Sequence, residues 1–125
     1  MRHDENFVVA VDFDGTVTQG FVGTATGPLN QKAREVLLQL KALGCVLVLW
    51  TTREGDELEE AVGLLDEWGI PMDWFNEYPL RNGFPKVNAD FHIDDKAWTG
   101  PIDWDAVLRH VKELKECRTS KTHRA

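Results

Sequence analysis

The stretch VVAVDFDGTVTQG, from Val8 to Gly20, carries the feature on which the interpretation of this chain depends. Four apolar residues run into a strand, and Asp12 and Asp14 follow, with only Phe13 between them. Two carboxylates about 4 Å apart repel each other by roughly 1 kcal/mol in water and about 4 kcal/mol near a protein surface. The pair therefore predicts that a cation or a ligand compensates the repulsion.

The composition is that of one soluble globular domain. The chain has 125 residues, 42% hydrophobic and 28% charged, and contains no apolar run near the roughly 20 residues of a membrane helix. Its start, MRHDENF, lacks the apolar core of a secretory signal, so we expect a cytoplasmic protein with no membrane partner. Cys45 and Cys117 have neither metal-binding nor redox spacing.

The net charge restricts the partners. A formal value of −7 disfavours broad binding to nucleic acid, which depends on a positive surface. It leaves room for a locally basic pocket. Nucleic acid is therefore not the expected partner, although a phosphorylated nucleic-acid end stays an alternative.

Strand-like and helix-like segments alternate along the chain, which predicts a parallel sheet with helices on both faces. The predicted strands are short apolar runs at 7–13, 45–50, 70–75 and 89–94. The predicted helices have apolar residues at helical spacing, at 30–44, 56–69 and 103–115. The polar segment 118–125 is expected to be a disordered tail, which leaves one domain over 1–117.

The helix ends and faces carry their own signals. Asn30 is the predicted N-cap of the first helix, and Asp56 and Glu59 have the spacing of a capping box in the second. Gly44 and Gly69 are predicted to end these two helices. The predicted inward residues are Ala33, Val36, Leu37, Leu40 and Leu43, then Leu58, Ala61, Val62, Leu65 and Trp68, and last Ala106, Val107, Val111 and Leu114.

Polar side chains follow three of the predicted strands. In open parallel sheets, ligands bind outside the carboxyl ends of the strands. Carboxylates that converge there need a cation, and Mg²⁺ prefers carboxylate oxygens. With hydroxyl donors nearby, such a site matches phosphoryl transfer by an aspartate nucleophile. The residues at these ends are Asp12 and Asp14, then Thr51, Thr52 and Arg53, and last Asp94 and Asp95.

Further residues are candidates for holding a phosphate. Gly15 would let backbone N–H groups approach it closely, and Thr51 would donate a hydrogen bond. Thr52 and Arg53 are candidate substrate-binding residues. Their alternatives are a loop cap for Thr52 and an ion pair with nearby acids for Arg53.

These motifs resemble those of the haloacid dehalogenase (HAD) superfamily. DFDGT resembles its first motif, LVLWTTRE its second, and PKVNADFHIDD its third and fourth together. All four occur in the family's order between residues 8 and 95. The resemblance implies a three-layer Rossmann-like (HAD-like) fold with a central parallel sheet, phosphatase activity and Mg²⁺ as cofactor.

The resemblance also implies a role for each matching residue. Asp12 would be the nucleophile that forms an aspartyl-phosphate, and Asp14 the general acid/base. Thr51 and Lys86 would complete the catalytic set, with Lys86 screening the charge between Asp12 and the phosphate. The residues implied to hold Mg²⁺ are Asp12, Asp14 through its main-chain carbonyl, Asp94 and, through a water, Asp95.

The chain departs from many family members in size. The two gaps in which relatives insert a cap domain are filled here by short segments, so the sequence resembles the small capless phosphatases. The substrate is then a phosphorylated small molecule or the phosphorylated end of a macromolecule. We expect the loop 76–85 to overhang the open site or to mediate a homodimer.

Two other functions stay open at this point. One is a phosphatase acting on nucleic-acid ends, because an open site admits a bulky substrate. The other is a non-catalytic binding or regulatory module that keeps the fold. Loss of Asp12 or Asp14 would mark such a module, and both residues are present.

Overall fold

A parallel sheet of four strands lies at the centre of the protein. The computed structural model describes residues 6–22, 25–78, 89–94 and 102–123. Its strands are β1 (Val8–Val11), β2 (Phe21–Val22), β3 (Ala25–Thr26), β4 (Val46–Leu49), β5 (Trp74–Phe75) and β6 (Phe91–Ile93). Its α-helices are α1 (Gln31–Ala42), α2 (Gly55–Glu67) and α3 (Trp104–His123).

The order of the sheet is β5-β4-β1-β6, and all of its pairs are parallel. The register of β1 sets Val11 beside Leu49 of β4 and beside Ile93 of β6. β2 and β3 form a separate antiparallel hairpin. The predicted α/β class with a central parallel sheet is confirmed, and the architecture is consistent with a Rossmann-like fold.

The two faces of the sheet bury different clusters, because successive side chains of a strand point to opposite faces. One cluster contains Val9, Val11, Leu47 and Leu49 together with apolar residues of all three helices. The other contains Val8, Ala10, Val48 and Tyr78, and none of the described helices contributes to it. Helices on both faces are therefore not confirmed within the described residues.

The direction of the crossovers explains why α1 and α2 share a face. The chain passes from β1 to β4 and from β4 to β5 in the same direction across the sheet. Because both crossovers are expected to be right-handed, their helices lie on the same side. α3 follows β6 and packs against α1, which adds it to the same layer.

The ends of the helices differ in part from the prediction. Asn30 is the N-cap of α1, as predicted, and its side chain accepts bonds from the N–H groups of Lys32 and Ala33. The capping box was wrong: α2 begins at Gly55, after Glu54, so Asp56 lies inside the first turn. Its charge there still interacts favourably with the helix dipole.

Two of the predicted inward leucines are exposed. Leu43 is 38% exposed and Leu114 is 42% exposed. Leu43 is the C-cap of α1, and Leu114 lies one turn beyond Val111, the last buried residue of α3 among those up to residue 117 whose burial is described. Periodicity identifies the apolar face of a helix, but it does not reveal where the neighbouring element stops covering that face.

The predicted tail was also wrong for most of its length, because α3 continues to His123. The segment contains no proline or glycine to end the helix, and its basic residues are favourable near a helix C-terminus. Residues 124–125 lie outside the described part of the chain. No helix in that part is long and apolar enough to cross a membrane.

The N-cap of α1 yields a stability prediction. Asn30→Ala removes the acceptor for two N–H groups, so we expect the free energy of unfolding to fall by about 1 kcal/mol. Urea titration followed by circular dichroism measures the change. Gln31→Ala, at the exposed first position of the helix, is the control and should change it by less than about 0.5 kcal/mol. Equal losses in both variants would contradict the assigned cap.

Candidate active site

Asp12 and Asp94 follow neighbouring strands at one edge of the sheet. Val11 is paired with Ile93, and the N–H of Asp12 donates to the carbonyl of Ile93 at 2.9 Å. Adjacent strands lie about 4.8 Å apart, so the two aspartates stand side by side at the register position beyond that pair. This is also where the strand order reverses, because β4 and β6 lie on opposite sides of β1.

The segment after β1 is a wide turn that requires glycine. The N–H of Thr18 donates to the carbonyl of Phe13 at 3.1 Å, which closes a π-helical turn over Phe13–Val17. Gly15 adopts φ +80°, a conformation that other residues rarely take. Its N–H donates to Thr18 Oγ1 at 3.3 Å, a bond within the turn itself.

Thr16 supports the predicted nucleophile. Its hydroxyl donates to Asp12 Oδ2 at 3.2 Å, and its side chain is buried. The DFDGT motif alone predicts no role for this threonine. Its position four residues after Asp12, across a turn, is the signal that could have identified the contact.

Thr51 is placed by the residue that follows β5. Its N–H donates to Asn76 Oδ1 at 2.8 Å, and its Oγ1 accepts the N–H of Arg53 at 3.2 Å. Asn76 has φ +56°, a conformation that asparagine tolerates better than most residues. Because a hydroxyl both accepts and donates, Thr51 keeps its own proton for a ligand. No sequence motif points to Asn76. The predicted substrate-binding residue Thr52 is exposed.

Arg53 is buried at the same edge of the sheet and forms an ion pair with Asp14. Its Nε donates to Asp14 Oδ2 at 2.8 Å and its Nη2 to Asp14 Oδ1 at 2.7 Å, which is a two-pronged ion pair. The Arg53 side chain is 7% exposed and that of Asp14 24%. Hydrogen bonds from Arg53 to Asp14 raise the pKa of the guanidinium above its ordinary value, although burial opposes the shift.

The rest of the guanidinium joins three other groups. Nη2 also donates to Thr26 Oγ1 of β3, and Nη1 donates to the carbonyl of Glu57 and to Glu60 Oε1 of α2. The planar group lies over the ring of Phe13, with Cζ 4.9 Å from the ring centre. The ion-pair alternative for Arg53 is therefore what the geometry contains.

Several residues at this edge of the sheet carry oxygen atoms of the kind that Mg²⁺ binds. Within the described ranges, no three side chains of Asp, Glu, His or Cys are grouped to hold a metal ion. Asp14 directs its carboxylate to Arg53, which leaves its main-chain carbonyl for a metal. The carboxylates of Asp12 and Asp94 with that carbonyl still fit Mg²⁺, which takes one or two carboxylates and retains several waters. Lys86 and Asp95 lie outside the described residues.

The comparisons with known proteins concern fold and family. No protein-family model matches the chain, and no curated protein matches it. The chain is similar to a conserved protein of solved structure from Bacteroides thetaiotaomicron, with 30% sequence identity and a TM-score of 0.75. The similarity covers 88% of this chain and 93% of that chain.

Proposed function

We propose that this chain, which belongs to the same family as the conserved Bacteroides thetaiotaomicron protein, is a capless HAD-type phosphatase that hydrolyses phosphomonoesters and uses Mg²⁺. The observation that carries the proposal is the juxtaposition of Asp12 and Asp94 at the ends of β1 and β6, where the strand order reverses. Asp14 lies two residues after Asp12, on the turn Phe13–Val17 that hydrogen bonds within the chain hold in place.

In the first step, a carboxylate oxygen of Asp12 attacks the phosphorus atom. A bond forms between that oxygen and phosphorus, and the bond from phosphorus to the ester oxygen breaks. The departing oxygen takes a proton from Asp14, which, as a carboxylate paired with Arg53 in the structure, takes up that proton from solvent before the step. Thr16 orients the attacking carboxylate through its hydrogen bond to Oδ2.

In the second step, a water oxygen attacks the phosphorus of the aspartyl-phosphate. Asp14, now a carboxylate, accepts a proton from that water. The bond between Asp12 and phosphorus breaks, which restores the carboxylate and releases inorganic phosphate. The sum is one ester and one water converted into one alcohol and one phosphate, with both aspartates returned to their initial states.

The remaining residues bind and orient. Thr51 has its hydroxyl proton to donate to a phosphate oxygen, and Asn76 holds its backbone in place. Asp12, Asp94 and the main-chain carbonyl of Asp14 would hold Mg²⁺. When bound, the ion neutralises the carboxylates and the charge on the phosphoryl oxygens. Lys86 keeps its proposed role as a further charge-screening group and Asp95 its role through water.

The short connections around the edge support an open site. The segment between β1 and α1 contains the turn and the hairpin β2–β3, and the segment between β4 and β5 contains α2. A phosphorylated small molecule or macromolecular end would reach such a site. No described feature favours nucleic-acid ends, a second subunit or a non-catalytic role over small phosphates.

Mg²⁺ binding supplies a test that does not depend on turnover. A ligand that binds only the folded state raises its melting temperature, so millimolar Mg²⁺ should stabilise the protein by several degrees. Asp94→Ala should remove most of that shift, whereas Asp66→Ala, an exposed aspartate of α2, should retain it. Differential scanning fluorimetry with and without EDTA makes the measurement. An unchanged melting curve in the wild type would refute the metal site.

Activity is tested with a panel of substrates in Mg²⁺. The panel contains 4-nitrophenyl phosphate, phosphorylated metabolites and end-phosphorylated oligonucleotides. Turnover of the small esters supports the proposal, and selective turnover of the oligonucleotides would favour the nucleic-acid alternative. No turnover on any of them, in protein that binds Mg²⁺, would support the non-catalytic alternative.

A further inference from the structure

The guanidinium of Arg53 has no donor left for a substrate. It carries five N–H groups, and the five hydrogen bonds described above engage Nε once and Nη1 and Nη2 twice each. The acceptors are all groups of this chain: both carboxylate oxygens of Asp14, Thr26, the carbonyl of Glu57 and Glu60. A phosphate could reach Arg53 only by displacing one of them.

The same contacts join Arg53 to three of the described segments around the site. Arg53 lies just after β4, Asp14 belongs to the turn after β1, Thr26 to the hairpin and Glu60 to α2. Thr26 Oγ1 also donates to Glu60 Oε1 at 3.3 Å. The guanidinium therefore has rigid neighbours on several sides, and its two-pronged bond transfers that rigidity to the carboxylate of Asp14.

Two aromatic rings, Phe13 and Trp68, pack in sequence under the guanidinium of Arg53. The ring of Phe13 is fully buried under the guanidinium and stacks on Trp68, with ring centres 6.3 Å apart and an angle of 16° between the planes. An arginine suits this place better than a lysine, because its flat group both stacks on a ring and forks to a carboxylate.

We propose that Arg53 is a positioning residue of the site, which holds the carboxylate of Asp14 at the place from which it exchanges a proton with the leaving group. This inference rests on the proposed phosphatase function. Each carboxylate oxygen has two lone-pair positions, and the fork of Arg53 uses one on each. The carboxylate is therefore held in orientation and keeps one lone-pair position on each oxygen for another partner. Arg53 acts through Asp14 and does not touch the phosphate.

The position predicts how turnover depends on the leaving group. An alkyl phosphate releases a strongly basic alkoxide, which needs the proton of Asp14. 4-Nitrophenyl phosphate releases a weakly basic phenolate, which does not. A lysine at position 53 keeps the charge but cannot donate to both carboxylate oxygens of Asp14 at once. Arg53→Lys should therefore misplace Asp14 and lower kcat on the alkyl phosphate far more than on 4-nitrophenyl phosphate.

The experiment compares kcat and KM of both esters in Mg²⁺ for the wild type, Arg53→Lys and the control Arg109→Lys on the exposed face of α3. General acid catalysis contributes about 10²- to 10⁴-fold, so we expect Arg53→Lys to lower kcat about 100-fold on the alkyl ester. On the aryl ester kcat should fall less than about fivefold. KM should stay within about twofold on both, and the control should match the wild type.

Two further variants separate positioning from loss of structure. Glu60→Ala removes one support of Arg53 at a side chain that is 54% exposed, and should give a smaller loss of the same selective kind, about fivefold on the alkyl ester. In an Asp14→Asn background, Arg53→Lys should change kcat little further, because the carboxylate through which Arg53 acts is already absent. If a variant only reduced the fraction of folded protein, kcat would fall by the same factor on both esters.

The outcomes distinguish this inference from the proposed function. Equal losses of kcat on both esters, or a large rise in KM, would overturn the positioning role while the phosphatase proposal stands. A faster alkyl reaction in Arg53→Lys would also overturn it, since Arg53 would then hold Asp14 away from the leaving group. If the wild type hydrolyses neither ester, the proposed function fails and the inference fails with it.

Discussion

Asp12→Asn is expected to lower the hydrolysis of 4-nitrophenyl phosphate by about 10⁴-fold or more, because loss of a nucleophile removes nearly all of the catalytic effect. An amide cannot take the place of the carboxylate in forming the acyl-phosphate bond. The protein should remain folded, since the backbone N–H of residue 12 still donates to Ile93 and the amide oxygen still accepts from Thr16. Steady-state kinetics and a urea titration measure the two effects.

Removing the charge at position 12 also reduces repulsion at the site. In EDTA, Asp12→Asn should therefore be at least as stable as the wild type, whereas a merely structural aspartate would leave it less stable. Asp66→Asn, the same change on exposed α2, should retain full activity. Residual activity of more than a few per cent in Asp12→Asn would remove Asp12 as the nucleophile.

Phe13→Ala is expected to lower the free energy of unfolding by about 3–5 kcal/mol, the range for a buried phenylalanine replaced by alanine. Phe13 is fully buried in the apolar cluster that contains residues of all three helices. Its ring contacts the guanidinium of Arg53 and the ring of Trp68. The variant leaves a cavity under the guanidinium of Arg53 and removes the ring that stacks on Trp68. Urea unfolding followed by circular dichroism provides the measurement.

Phe75→Ala is the matched control for that loss. Phe75 lies on β5, the outermost strand on its side of the described sheet, and is 36% exposed. Its truncation removes less buried area and should cost no more than about 1–2 kcal/mol. If Phe13→Ala cost as little as Phe75→Ala, the ring would not be the support that the packing indicates.

The pattern of the chain predicted most of the elements and the edge at which the candidate site lies. Apolar runs marked β1 and β4, and the N-cap at Asn30 marked the start of α1. These signals are local: a buried strand needs a short apolar run, and a helix start needs an acceptor for its first N–H groups. The juxtaposition of Asp12 and Asp94 followed from a general property of parallel sheets.

Local signals failed where a distant element decides the outcome. Leu114 has the right spacing for an inward residue, yet it is 42% exposed, and no residue from 112 to 117 of α3 is buried. Alternation alone predicted helices on both faces without specifying strand order, and the second face has no helix among the described residues. The order β5-β4-β1-β6 carries α1 and α2 to one side.

The sequence by itself determined the chemistry available: aspartates at strand ends, a threonine and an arginine after β4, and a glycine where the turn needs a positive φ. Only the tertiary structure decided what Arg53 does. Its five donors find acceptors on three separate segments, the turn with Asp14, the hairpin with Thr26 and α2 with Glu57 and Glu60, which packing alone brings together. An arginine in a sequence offers the same fork to a substrate phosphate and to a carboxylate, and the choice depends on which acceptor lies within hydrogen-bond distance after folding.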